Sequence, residues 1–356
     1  MILFTSYCFF LDLSFGKTVW AGNMSWSGNR RMLFNNENTM ERTIEKVADI
    51  VIQSLYTTQP PWCNFEGISC GTEKGTVAYA SVLNISLSDI NLNGTLPINM
   101  KDFQSLETLD LGGNILRGSI PSIETWSSKL KILNLHGNRF TGKLPDGMEY
   151  SMADLSIFSV QSNLLTGPIP FSLNYLSALS VLKLSYNSFD GNLSTLSIAS
   201  PLLKTLSLSG NILTGTFPSS LVKMSSLQYI DVLGNYLVGT LPANIGAFSS
   251  LKKLDLSLNS LSGTIPTSVS QLSMLSFLDL HSNYFTMGLR RKIAASYFSN
   301  FTSNSDNTIN LSENCLVFVN FMKSSQNANA TRCKKPSYQP SSSKLILIVA
   351  CYNYCV

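Results

Sequence analysis

Two histidines and seven cysteines are the main reactive side chains of this 356-residue chain, and their spacing limits the chemistry available. His136 and His281 lie far apart in sequence, so a histidine-based acid/base or nucleophilic constellation is not expected, and both are read as surface residues. No Gly-rich phosphate loop followed by Lys-Ser/Thr is present, and no G-x-S-x-G or H-E-x-x-H. The cysteines are Cys8, Cys63, Cys70, Cys315, Cys333, Cys351 and Cys355. Cys63 and Cys70 have no second metal-spaced pair and no nearby histidine, so no metal and no cofactor are expected. Cys63 and Cys70 flank the start of a long cysteine-free region and Cys315 and Cys333 follow its end, a placement that suits disulfides in an oxidising compartment. Asn-x-Ser/Thr acceptor sequences at Asn23, Asn84, Asn93, Asn192, Asn300, Asn310 and Asn329 point the same way. These features predict a non-enzyme that has passed through a secretory route.

The cysteine-free region explains what must be positioned. "LQYIDVLGNYLVGTLP" at 227–242 returns 24 residues later as "LKKLDLSLNSLSGTIP". Nine such units start at Val82, Leu106, Leu130, Leu155, Leu179, Leu203, Leu227, Leu251 and Leu275. A period in the twenties denotes a solenoid, in which each unit buries its apolar face only against its neighbours. Within a unit, Leu109 and Leu111 alternate with polar residues, the period of a strand with one buried face. An asparagine then recurs in register: Asn114, Asn138, Asn163, Asn187, Asn211, Asn235, Asn259 and Asn283. A buried amide there can satisfy the backbone groups that an inward turn leaves unpaired. The first unit has Ile90 at this place. A second motif follows, as in "TGKLP" and "SGTIP": a glycine for a tight bend, an apolar residue returning to the core, and a proline that ends ladder pairing. The fifth unit, "DGNLSTL", lacks the proline and carries the Asn192 acceptor, so a local irregularity is expected there.

The pattern resembles the plant-type leucine-rich repeat, LxxLxLxxNxLxGxIP, over about residues 82–289. The resemblance implies an α/β solenoid: a right-handed superhelix with a parallel concave β-sheet, an extra short strand per turn, and a 3-10 or irregular convex side. It implies an N-terminal cap over 38–81, in which "PPWCNFEGISC" supplies the disulfide Cys63–Cys70, and a C-terminal cap over 299–340 with Cys315–Cys333. Ile44, Val47, Ala48, Val51 and Leu55 would share one face of a cap helix. The repeats are bounded at 82–298. Residues 1–37 read as a signal-like or disordered N-terminus with weak hallmarks, and 341–356 as an apolar tail resembling a truncated membrane span.

A constant skeleton with variable filling describes a binding scaffold. The outward strand residues are most featured in the C-terminal half, where Tyr229, Leu233 and Phe277 are expected as exposed anchors beside Asp231, Lys253, Asp255, Asp279 and His281. Asn84 is expected on the first strand. Asn93 and Asn192 are expected beyond the strands, and Asn300, Asn310 and Asn329 in the C-terminal cap. The net charge of +4 is not gathered into a basic stripe, which argues against nucleic acid. The reading is a receptor-like ectodomain at the cell surface or in the apoplast. It would bind a peptide or protein on its concave face, with a co-receptor and tail-mediated membrane association as further partners. The alternatives are a secreted wall protein resembling the polygalacturonase inhibitors, and a truncated receptor fragment without function.

Overall fold

The computed structural model describes residues 10–12, 17–19, 25–26, 32–33, 67–72, 80–96, 103–122, 126–286, 308–311, 314 and 347–348. The expected cap helix, Cys63, Cys315, Cys333, and the acceptors Asn23, Asn300 and Asn329 lie outside them. Near the N-terminus, Phe10–Asp12 pairs antiparallel with Lys17–Val19, and Ser25–Trp26 with Met32–Leu33.

One strand per repeat builds a long sheet. Thr108–Asp110, Ile132–Asn134, Ile157–Ser159, Val181–Lys183, Thr205–Ser207, Tyr229–Asp231, Lys253–Asp255 and Phe277–Asp279 pair in parallel, each residue facing its counterpart one repeat on. Leu109, Leu133, Phe158, Leu182, Leu206, Ile230, Leu254 and Leu278 point inward at the strand centres and are buried. At the N-terminal end Ile68–Thr72 runs antiparallel to Ala80–Ser86 and forms the edge of the sheet. Cys70 in this edge strand is disulfide-bonded.

At the other end the sheet continues into the stretch assigned from sequence to the C-terminal cap. Thr308–Asn310 pairs in parallel with Phe277–Asp279, and Leu347–Ile348 of the apolar tail pairs onto it in turn. The spacing of Ile309, Leu311 and Asn314 repeats that of Leu278, Leu280 and Asn283 after 31 residues rather than 24, a signal that a strict period passes over.

The asparagines form the expected ladder. Asn235 is typical: its Oδ1 accepts from the Leu213 N–H at 3.1 Å, and its Nδ2 donates to the carbonyls of Leu208 and Val232, both at 3.0 Å. The pattern starts at Asn114, which reaches back to the Leu87 carbonyl and the Ile90 and Leu92 N–H groups. It ends at Asn314, which holds the Phe285 N–H at 3.0 Å. Asn187 makes the same bonds while only half-buried.

The residue before each asparagine from Asn114 to Asn283 is left-handed. Four repeats use glycine there, and Ser162, Tyr186, Leu258 and Ser282 take the same turn with φ of 51–57°. Gly210 needs its lack of a side chain twice over. Its φ is 63°, and a Cβ there would lie 2.8 Å from the Tyr186 ring.

Beyond the turn the extra short strands form two flank sheets. Five strands run from Asn93–Thr95 to Ser188–Asp190, and three from Val238–Gly239 to Tyr284–Thr286. Between them the sixth repeat has no regular flank strand, but backbone bonds still carry the flank across: the Ile212 and Thr214 N–H groups donate to Phe189 and Gly191, the Leu193 N–H to Thr214, and the Tyr236 and Val238 N–H groups to Leu213 and Gly215. The irregularity expected at the fifth repeat is a 3-10 segment, Leu193–Thr195, set directly after its short strand. The convex side holds 3-10 turns such as Phe171–Tyr175, Ser219–Lys223 and Thr267–Gln271, each following a proline. The interior is one continuous apolar core, filled in part by Phe140, Phe158, Phe189, Phe248 and Phe285, all essentially inaccessible to solvent.

Candidate functional site

The strand centres point inward, so the residues on either side of them point out, and the parallel register stacks these into rows along the concave face. One row runs Thr205, Tyr229, Lys253, Phe277; the next runs Ser207, Asp231, Asp255, Asp279, Asn310. Neighbouring members are about 4.8 Å apart, close enough for side chains from separate repeats to bond.

Lys253 is the hub. Its Nζ lies 3.5 Å from both Asp231 Oδ2 and Asp255 Oδ2, and 4.9 Å from the centroid of the Phe277 ring. Tyr229, beside it, is 42% exposed. At the C-terminal side His281 Nδ1 lies 2.6 Å from Asp279 Oδ1, and Asn310 Nδ2 donates to Asp279 Oδ2 at 3.2 Å. The predicted residues are thus brought together, with differences in how they present themselves. Phe277 and Leu233 are half-buried rather than exposed, and the Lys253 ammonium covers part of the Phe277 ring. His281 is likewise held against Asp279, and His136 against Asn134 Oδ1 at 2.9 Å.

Asp255 departs furthest from expectation. It is 5% exposed, and the Ser257 hydroxyl donates to its Oδ1 at 2.6 Å. It is not a surface available to a ligand. Burial pushes its carboxyl above the ordinary range, outweighing the Ser257 bonds, and the charge of Asp231 pushes the same way. The sign follows. The folded state binds the proton more tightly than the unfolded chain, so ionised Asp255 destabilises the fold at neutral pH. That penalty disappears as pH falls through the carboxylate range. Asp255→Asn is expected to be at least as stable as wild type in urea melts at pH 7, with the gap narrowing toward pH 4. A variant less stable at pH 7, by a margin that persists in acid, would mean that the Lys253 pairing dominates.

A structural role for this aspartate position is also visible. Asp110, Asp231, Asp255 and Asp279 each accept from the backbone N–H two residues on, at 3.0–3.3 Å, closing the strand end before the turn. The row is therefore partly turn chemistry, recurring for that reason. One feature not singled out from sequence is a hydroxyl cluster next to the acidic row. Ser185 and Ser207 share a 2.6 Å hydrogen bond, and Ser209 Oγ donates to Ser185 Oγ at 2.9 Å. Ser185 and Ser209 recur 24 residues apart at the outward position, which was the available signal.

The acceptor asparagines divide by location. Asn84 is half-buried on the first parallel strand, its Nδ2 donating to Ser69 Oγ at 2.6 Å. Asn310, expected off this face, instead sits on it in register with Asp279, because the sheet gains the strand Thr308–Asn310. Asn93 and Asn192 lie on the flank, as expected. Among the described residues no group of three or more His, Cys, Asp or Glu is arranged to hold a metal ion, and no helix is long and apolar enough to cross a membrane.

The Leucine Rich Repeat family model matches residues 105–124, 129–150, 202–224 and 250–272. Among curated proteins the chain is similar to Protein STRUBBELIG-RECEPTOR FAMILY 1 of Arabidopsis thaliana, with 38% identity over 102 residues, 28% of this chain and 13% of that protein. Among solved structures it is similar to the ectodomain of the plant membrane receptor kinase GASSHO1/SCHENGEN3 from Arabidopsis thaliana, in complex with CASPARIAN STRIP INTEGRITY FACTOR 2. The TM-score is 0.66 at 28% identity, covering 76% of this chain and 32% of that one. It is also similar to the plant peptide hormone receptor RGFR1 in complex with RGF2, with a TM-score of 0.58 at 32% identity, covering 65% of this chain and 36% of that one. The chain thus spans about a third of each of those solved chains and a smaller share of the curated relative.

Proposed function

We propose that this chain, a leucine-rich repeat protein of the plant type that resembles receptor ectodomains, is a cell-surface recognition module that takes a peptide or protein on its concave face. No reaction is assigned to it. The observation that carries the reading is the cluster on three successive strands: Tyr229 exposed, Lys253 beside it over the Phe277 ring, and Asp231 within 3.5 Å of the same ammonium. An aromatic anchor with a flanking ion pair, held on rigid strands, is the composition of an interaction hot spot. Likeness to two solved receptors that are described in complex with peptide or protein factors supports the same direction. Extracellular location is part of the proposal, as is a co-receptor as second partner.

The test uses the full chain, secreted behind a heterologous leader and panned against a phage-displayed random peptide library. Peptides are expected to enrich, and their affinity for Tyr229→Ala is expected to fall at least ~10-fold, the size of a modest hot spot. Tyr236→Ala, an exposed aromatic on the flank, is expected to leave binding unchanged. The concave reading fails if no peptide enriches, or if the enriched peptides bind Tyr229→Ala as tightly as wild type.

A further inference from the structure

On the flank of the fifth repeat, where the regular strand gives way to an isolated bridge from Asn192 to Thr214, lies an acceptor sequence, Asn192-Leu193-Ser194. Here the glycine of the second motif is followed by asparagine instead of a proline-terminated run. The chain turns at once into the short 3-10 segment Leu193–Thr195. The Asn192 side chain is exposed, and its two amide ends have different duties. Oδ1 makes the local contacts, accepting from the Ser194 N–H at 2.9 Å and the Ser194 hydroxyl at 2.6 Å. Nδ2 makes no hydrogen bond among the described residues. Asn192 lines a small pocket together with Pro168, Phe171, Asn174, Asp190 and Leu193, with Phe171 59% exposed.

The concave-face acceptors are the reverse. Asn84 and Asn310 lie within paired strands of the long sheet and spend Nδ2 on bonds to Ser69 and Asp279. Substitution at that nitrogen would disturb a contact in either case, and would set a bulky group on the binding face. Asn93 is half-buried on the outermost flank strand.

We infer that Asn192 is the principal N-glycan acceptor among these four, and that its glycan stands on the flank, leaving the concave face open. This rests on the extracellular reading above. In the modification, Nδ2 forms a bond to the anomeric carbon of the first N-acetylglucosamine of a lipid-pyrophosphate-linked oligosaccharide. The bond from that carbon to the pyrophosphate oxygen breaks, the lipid pyrophosphate leaves with the electron pair, and one amide proton is lost. Oδ1 is untouched, so both Ser194 bonds survive. The pocket gives the first sugar space and an aromatic wall.

The experiment is site mapping on the full chain, expressed behind a heterologous secretion leader in plant cells. Enzymatic deglycosylation in heavy-oxygen water marks each formerly modified asparagine by mass. Near-complete marking of Asn192 is expected, with Asn84 and Asn310 marked little or not at all. Asn192→Gln and Ser194→Ala should each remove one glycan from the intact mass, and Ser194→Thr should keep it. An unmarked Asn192 in secreted protein overturns the inference, as does equal marking of Asn84 or Asn310. Because the leader imposes secretion, this result is independent of whether the native chain is extracellular. That reading is tested separately, by locating the chain expressed without the added leader.

Discussion

Asn235→Ala is expected to cost about 2–3 kcal/mol in urea unfolding, far beyond what removal of one polar side chain from a surface would do. Asn235 is 6% exposed and sits in the middle of the ladder. The carbonyls it serves are shared, that of Leu233 with the Gly210 N–H. The Leu208 oxygen also accepts from Asn211, and the Val232 oxygen from Asn259, so each keeps one partner in the variant. The Leu213 N–H has only the Asn235 oxygen to donate to, so it is left buried and unsatisfied. That donor, together with the lost side-chain bonds, sets the expected magnitude. Asn235→Asp separates the ladder from mere cavity formation. Its carboxylate can still accept from Leu213 but has no proton for the carbonyls it faces, so it should be at least as damaging as alanine at neutral pH. A cost below 1 kcal/mol for Asn235→Ala would mean that the turn is held by the apolar core alone.

Phe189→Ala should be the more destabilising of the two, by about 3–5 kcal/mol. Phe189 is fully buried, and it lies in Ser188–Asp190, the last strand of the five-stranded flank sheet. Its backbone N–H is held by Asn211, so the cavity would open beside the ladder. In a solenoid each unit leans only on its neighbours, so the damage should stay local. Hydrogen exchange is expected to quicken first in the fifth and sixth repeats, while Leu109 and Leu278, several repeats away, keep their protection. Uniform acceleration along the array, or a cost under 2 kcal/mol, would contradict nearest-neighbour behaviour.

The inward half of the molecule was legible before any coordinates. Leu109, Leu206 and Leu278 are buried where the alternation put them, and the asparagines from Asn114 to Asn283 bond as their register implied. The missing proline of the fifth repeat coincides with a local irregularity, the 3-10 segment Leu193–Thr195. Less was legible at the ends. The strand Thr308–Asn310 joins the sheet although its spacing departs from the period, so Asn310 stands on the concave face instead of in the expected cap.

The division has one physical cause. An inward side chain meets the same surroundings in every repeat, so residue type at a fixed place in the period is enough to determine its role. An outward side chain meets whatever stands on the adjoining strands about 4.8 Å away, and those neighbours are a whole repeat distant in the chain. The sequence by itself therefore determined the skeleton, the ladder and the scaffold character of this protein. Only the tertiary structure decided that Tyr229 stays open, that Lys253 covers Phe277, and that Asp255 is enclosed by Ser257 and Lys253 instead of facing a ligand.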